Sequence, residues 1–150
     1  MKRILLTSLV LASALSASAT DYTLTSPDGR LRSVISTGAT TTFTLSTPQQ
    51  QVLAMHIADK GIWGHNTQHA KVRRQKANAT ITSPLYRRAT VRDQYNALTL
   101  QLKGYDVQFR MYDDGLAYRF VGHMPDSVIV TNEEGHYHFA ADHTAYVPYI

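Results

Sequence analysis

Apolar and polar residues alternate in short runs along most of the chain. Leu98, Leu100 and Leu102 alternate with Thr99, Gln101 and Lys103. After the break at Lys103-Gly104, Tyr105, Val107, Phe109 and Met111 alternate with Asp106, Gln108 and Arg110. Leu116, Tyr118 and Phe120 resume the pattern beyond Asp113-Asp114-Gly115. A period of two puts successive side chains on opposite faces, so each run predicts a strand with one buried face. Asp-Gly between two such runs is a strong hairpin signal. The same pattern recurs more faintly where Tyr22 and Leu24 alternate with Thr23 and Thr25 ahead of a Pro27-Asp28-Gly29 turn. Residues 31–35, 40–47, 128–131 and 137–140 also read as strands, and 52–57 as a further apolar run. Residues 62–66 read as a loop anchored by Trp63. No stretch sustains a 3.6 period and no internal repeat is present, so the expected fold is all-β, an antiparallel β-sandwich or part of one.

The composition agrees with a folded domain. The chain has 150 residues, of which 43% are hydrophobic and 17% charged, too apolar for disorder and too short for a (β/α)8 barrel of about 250 residues. Its formal charge of +4 includes Lys2 and Arg3, which precede an apolar run over residues 4–15 and then Ser16-Ala17-Ser18-Ala19. Basic start, apolar run and small-residue site form a secretory signal peptide, with cleavage between Ala19 and Thr20. The apolar run falls short of the roughly 20 residues that span a bilayer. Cleavage would leave 131 residues, residues 20–150, in which 13 basic side chains face 11 acidic ones. A net +2 offers no electrostatic footprint for nucleic acid. The expected location is secreted or periplasmic, with no membrane contact after cleavage. The chain has no cysteine, which excludes a thiol nucleophile, a Cys-ligated zinc, a lipoprotein anchor and disulfide support.

The segment Phe109-Arg110-Met111-Tyr112-Asp113-Asp114-Gly115-Leu116-Ala117-Tyr118-Arg119-Phe120 resembles the hallmark of the N-terminal domain of glycoside hydrolase family 97, a strand of form F-R-x-Y-x-D-G followed by one of form x-A-x-R-F. Phe109, Arg110, Tyr112, Asp114, Gly115, Ala117, Arg119 and Phe120 carry the match, as structural residues of that motif. Ser26-Pro27-Asp28-Gly29-Arg30-Leu31 resembles the usual start of the domain, and Glu133-Glu134 through Phe139 and residues 142–149 its continuation. The resemblance implies a bacterial exported enzyme cleaving α-glucosidic or α-galactosidic bonds. It implies an N-terminal β-sandwich packed on a catalytic barrel, with calcium in the active site of the full-length enzyme. The glutamate that such a domain lends to calcium is expected just past the stretch similar to residues 146–150. The chain is therefore expected to stop inside the N-terminal domain, to hold no catalytic residue and no cofactor of its own, and to meet α-linked oligosaccharide only through the whole enzyme.

The residues offer little independent chemistry. Glycoside hydrolysis needs two carboxyl groups roughly 5–9.5 Å apart. Asp113 and Asp114 fall in a turn, and Glu133 and Glu134 are neighbours that would point to opposite faces. A two-residue Asp114-Gly115 turn would pair Tyr112 with Ala117 and Arg110 with Arg119. Opposed arginines on a sheet surface need an anion between them, so a bridging carboxylate is expected there. His136 and His138 share a face if they lie on a strand and could bind a metal with His143 or Asp142; an exposed polar face is the plainer reading. A free-standing carbohydrate-binding module remains the alternative function, and it would need an exposed aromatic platform from Trp63 with Tyr95 or Tyr105. The cluster at residues 71–76 reads as a solvated strand face. Asn78-Ala79-Thr80 matches a glycosylation sequon, relevant only in a eukaryotic secretory pathway.

Overall fold

A computed structural model describes residues 19–57, 61, 63–82, 87–127, 129, 135–142 and 144. Residues 1–18, which hold most of the expected signal peptide, lie outside the described residues, as do Glu133, Glu134, His143 and residues 145–150. So do Asp59, Lys60, Ile62 and most of the strand expected at 128–131. Among the described residues nine strands form: β1 (Thr20–Thr25), β2 (Arg32–Thr37), β3 (Thr41–Ser46), β4 (Gln51–Ile57), β5 (Lys71–Thr82), β6 (Thr90–Gln101), β7 (Tyr105–Met111), β8 (Leu116–Gly122) and β9 (His136–Phe139). They build two antiparallel sheets, β1-β2-β3-β4-β9 and β5-β6-β7-β8. This is the sandwich that the alternation predicts.

The two sheets meet through the apolar half of each alternating run. Leu24, Ile35, Phe43, Met55 and Ile57 of the first pack with Leu98, Leu100, Tyr105, Val107, Phe109 and Met111 of the second. Phe109 is completely buried, and Phe43 meets it edge-on with ring centres 5.9 Å apart. Trp63 closes one end. Its ring lies 5.2 Å from Tyr105 and 5.4 Å from Phe120, and Gly122 leaves room for it: a Cβ there would sit 3.1 Å from Trp63 Cη2. The loop carrying Trp63 turns through Gly64 and Asn66, both at positive φ, into a 3-10 turn at Thr67–His69. The alternation gave no sign of that turn, because Thr67 is buried by polar contacts, with its hydroxyl accepting from the Gly38 N–H and bonding the Thr41 hydroxyl, each at 3.1 Å.

The β5–β6 hairpin is twelve residues on each strand and was legible only in its second half. Around its middle, the inward positions on β5 are Arg74 and Lys76, which touch no core. Arg74 Nη1 donates to the Thr23 carbonyl at 2.7 Å and Asn96 Nδ2 to the Thr25 carbonyl at 2.8 Å. Two edge carbonyls of β1 are thus capped by the opposite sheet, a way of keeping an edge strand from recruiting another chain.

The central hairpin differs from its expected register. Met111 pairs with Leu116, Arg110 with Ala117 and Gln108 with Arg119. The loop therefore holds four residues, closed by the Tyr112 N–H donating to the Gly115 carbonyl at 2.8 Å. Neither Asp114 nor Gly115 takes a positive φ, so the tight mirror-image turn read from Asp-Gly is replaced by a longer loop. Arg110 and Arg119 do not face each other across the strands. The error is two residues, an even number, so every side chain keeps its expected face.

That longer loop has a use. Asp113 Oδ1 accepts the backbone N–H of Asp28 at 2.9 Å, joining the two sheets at one end. Asp28 in turn organises its own turn: its carboxylate accepts from Ser26 Oγ at 2.6 Å and the Arg30 N–H at 2.9 Å, and pairs with the Arg30 guanidinium. The Ser26 hydroxyl, then the Arg30 N–H and side chain, hold the Asp28 carboxyl well below its ordinary range. A depressed folded-state value means this stabilisation is complete above the unfolded value of about 4 and is lost as pH falls below it. We expect Asp28→Asn to flatten the acid limb of a plot of melting temperature against pH. An unchanged limb would show that other carboxylates govern acid unfolding.

Candidate functional site

The outward half of the motif strands forms the most organised polar surface of the described residues. On the outside of the four-stranded sheet, Tyr95 and Ala97 of β6 adjoin Gln108 and Arg110 of β7 and Ala117 and Arg119 of β8, as their pairing requires. Arg110 lies over the Tyr95 ring, 4.5 Å from its centre, a cation–π geometry. Tyr112 packs on the same ring at 5.3 Å, and its hydroxyl donates to Asp93 Oδ1 at 3.2 Å. The Tyr112 hydroxyl first, with Tyr95 and Asp93, holds the Arg110 guanidinium above its ordinary value, so it is charged throughout the working range. Arg119 Nε donates to Gln108 Oε1 at 2.9 Å. Between these side chains lies a pocket of about 170 Å³, lined by Gln108, Arg110, Tyr112, Ala117, Tyr118 and Arg119.

The motif residues therefore divide by face. Phe109 and Phe120 belong to the core and its margin, Asp114 and Gly115 to the loop, and Arg110, Tyr112, Ala117 and Arg119 to the pocket. Gln108 was not a sequence candidate. Its position two residues before Arg110 put it on the same face, but its bond to Arg119 depends on the register. Asp93 was missed for the same reason.

Other candidates do not converge. Tyr105 is only 3% exposed, and its hydroxyl accepts the Gly64 N–H at 3.0 Å and donates to the His65 carbonyl at 3.3 Å. Trp63 packs against Tyr105 and Phe120, and Arg110 covers one face of Tyr95. The three aromatics do not form the open platform that a sugar-binding module would need. His136 and His138 lie on the exposed edge strand β9. His138 meets His56 ring to ring at 5.8 Å, yet no group of three His, Cys, Asp or Glu among the described residues could hold a metal ion. A second groove of about 370 Å³ runs along the capped β1 edge, lined by Thr23, Thr25, Arg74, Lys76 and Asn96 among others. A third, open groove holds the His123–Asp106 pair at 3.2 Å. No helix among the described residues is long and apolar enough to cross a membrane.

Comparison with known proteins follows the same lines. The family model described as glycosyl-hydrolase 97 N-terminal matches residues 24–150. A retaining alpha-galactosidase of Bacteroides thetaiotaomicron is 37% identical over 135 residues, covering 86% of this chain and 20% of that protein. A glycoside hydrolase family 97 enzyme from Pseudoalteromonas sp. strain K8, solved with acarbose, superposes with a TM-score of 0.54 at 26% identity. The match covers 66% of this chain and 17% of that one. A variant of an enzyme from the same strain, solved with panose, gives 0.55 with the same coverage. The chain thus spans about a fifth of the length of these relatives.

Proposed function

The chain belongs to the glycosyl-hydrolase 97 N-terminal family, and from that premise we propose that it is the supporting β-sandwich of an exported enzyme that hydrolyses α-galactosidic or α-glucosidic bonds. One observation carries this reading: the alignment with the retaining alpha-galactosidase covers 86% of this chain yet only 20% of that protein. In this reading the reaction belongs to the remaining four-fifths of such a protein. The sandwich packs against the catalytic barrel and steadies the mouth of its substrate pocket. Residues 1–19 direct export and are removed, leaving Thr20, the first residue of β1, as the new N-terminus. Calcium is a cofactor of the whole enzyme, bound by residues outside these two sheets.

The test pairs two proteins. The 150-residue chain and a polypeptide in which it is followed by a family 97 barrel are assayed with aryl α-galactosides and α-glucosides. We expect turnover only from the longer protein, abolished by a calcium chelator and restored by calcium. Calcium-dependent turnover by the short chain would contradict the supporting role, and an inactive but folded long protein would contradict the glycosidase reading. N-terminal sequencing of exported protein should begin at Thr20.

A further inference from the structure

We propose that the pocket between Arg110 and Arg119 on the outer face of the four-stranded sheet is a carboxylate-binding site. The register places the two arginines on a diagonal, Arg110 opposite Ala117 and Arg119 opposite Gln108. The methyl group of Ala117 keeps the floor between them low. Each guanidinium is fixed by a neutral partner, Arg110 by the ring of Tyr95 and Arg119 by the amide oxygen of Gln108. Neutral partners orient a cation without cancelling its charge. Neither arginine makes an ion pair among the described residues, whose ion pairs are Arg30–Asp28 and His123–Asp106. The nearest acid, Asp93, accepts from Tyr112. Two guanidiniums and that one carboxylate leave a local charge of about +1, which a monoanion balances.

The ligand class follows from shape as well as charge. A guanidinium presents its N–H groups as a planar fork that matches a carboxylate in two parallel bonds. Tyr112 lines the pocket, but its hydroxyl proton is committed to Asp93. About 170 Å³ holds a carboxylate and a short stem, and is below the roughly 300–1,000 Å³ of sites that enclose a small organic ligand. Forks held in place before binding lose little rotamer freedom on binding. The carboxylate comes either from a soluble acid or from an acidic side chain of the domain that follows. The second source rests on the proposed function. A weak exposed site suffices there, because a tethered group acts at an effective concentration in the millimolar range.

The experiment uses propionate, the side-chain acid of glutamate with its stem, and inorganic phosphate as a competitor class. The Nε–Hε resonances of Arg110 and Arg119 in the 150-residue chain are followed by NMR during titration at constant ionic strength. We expect both to shift saturably with propionate and more weakly with phosphate. Arg119→Lys keeps the charge and gives up only the fork, and should weaken propionate about tenfold. Arg73→Gln, outside the pocket, should leave it unchanged. No saturable shift, phosphate bound more tightly, or an unaltered Arg119→Lys affinity would each overturn the site. The melting temperature of the barrel-bearing protein then separates the sources. A rise with propionate that Arg119→Lys removes identifies a soluble acid. No rise, with a lower melting temperature for Arg119→Lys than for its parent, identifies an internal side chain. Neither arm depends on glycosidase activity, so the site and the proposed function can fail separately.

Discussion

Phe109→Ala should lower stability by about 3–5 kcal/mol, the usual cost of truncating a buried aromatic side chain. Phe109 has no exposed surface and holds the sheets together at their midpoint, with Phe43 edge-on at 5.9 Å and Tyr118 at 6.3 Å. Its neighbours are anchored in separate strands and cannot collapse into the space, so the loss includes a cavity as well as transfer. For a domain whose whole stability is about 5–15 kcal/mol, that is a large fraction. At roughly 2 kcal/mol per molar urea, the midpoint should fall by about 2 M. Arg110→Gln, one residue along the same strand, should cost no more than about 1 kcal/mol, the worth of its contact with the Tyr95 ring. Equal effects at the two positions would contradict the assignment of faces.

Tyr105→Phe is the second large effect, and it comes from a single oxygen. The ring would stay in place, but the Gly64 N–H would lose its acceptor and the His65 carbonyl its donor. Both groups lie in the loop under Trp63. Leaving a buried polar group without a partner costs about 1–3 kcal/mol. Because Trp63 is the only tryptophan and lies 5.2 Å from Tyr105, its fluorescence reports on this loop directly. We expect a red-shifted emission maximum together with a lower unfolding midpoint. A lower midpoint with unchanged emission would mean that the loop holds its position without the hydroxyl.

The parts of the fold legible in the sequence are those where one side of a strand is apolar and the other is not. Residues 98–120 announced both strands and faces, because burial of Leu98, Val107 and Phe109 enforces the alternation. Residues 71–82 did not, because the inward position Arg74 reaches for a strand edge and not for a core, and Lys76 on the same face is exposed. The hairpin register escaped for a different reason. Asp-Gly usually marks a two-residue turn, but Asp113 is drawn off to the Asp28 N–H, and the loop lengthens to four residues. That tertiary contact spans 85 residues of sequence, and no local pattern encodes it. The pocket was half legible. Arg110 and Arg119 stood out as charges needing an anion, while Gln108 and Tyr95, which fix them without neutralising them, required the true register. The histidines of β9 share a face, as their spacing says, but a shared face alone does not assemble a ligand set.

Four of the five strands of the first sheet precede the whole of the second in the sequence, and this sets an order on the biogenesis of the sandwich. The strands β1 to β4 end at Ile57, and the first aromatic ring in chain order to pack on Phe43 is Phe109, followed by Tyr118. At a synthesis rate of about 5–20 residues per second, the intervening fifty or so residues take roughly 3–10 s to emerge. For that interval Leu24, Ile35, Phe43 and Met55 have no opposing layer. The bonds that cap the β1 edge come from Arg74 and Asn96, so they too arrive late. The nascent sandwich is therefore at its stickiest between the completion of β4 and the arrival of β7, with an apolar sheet face and an unguarded strand edge presented together.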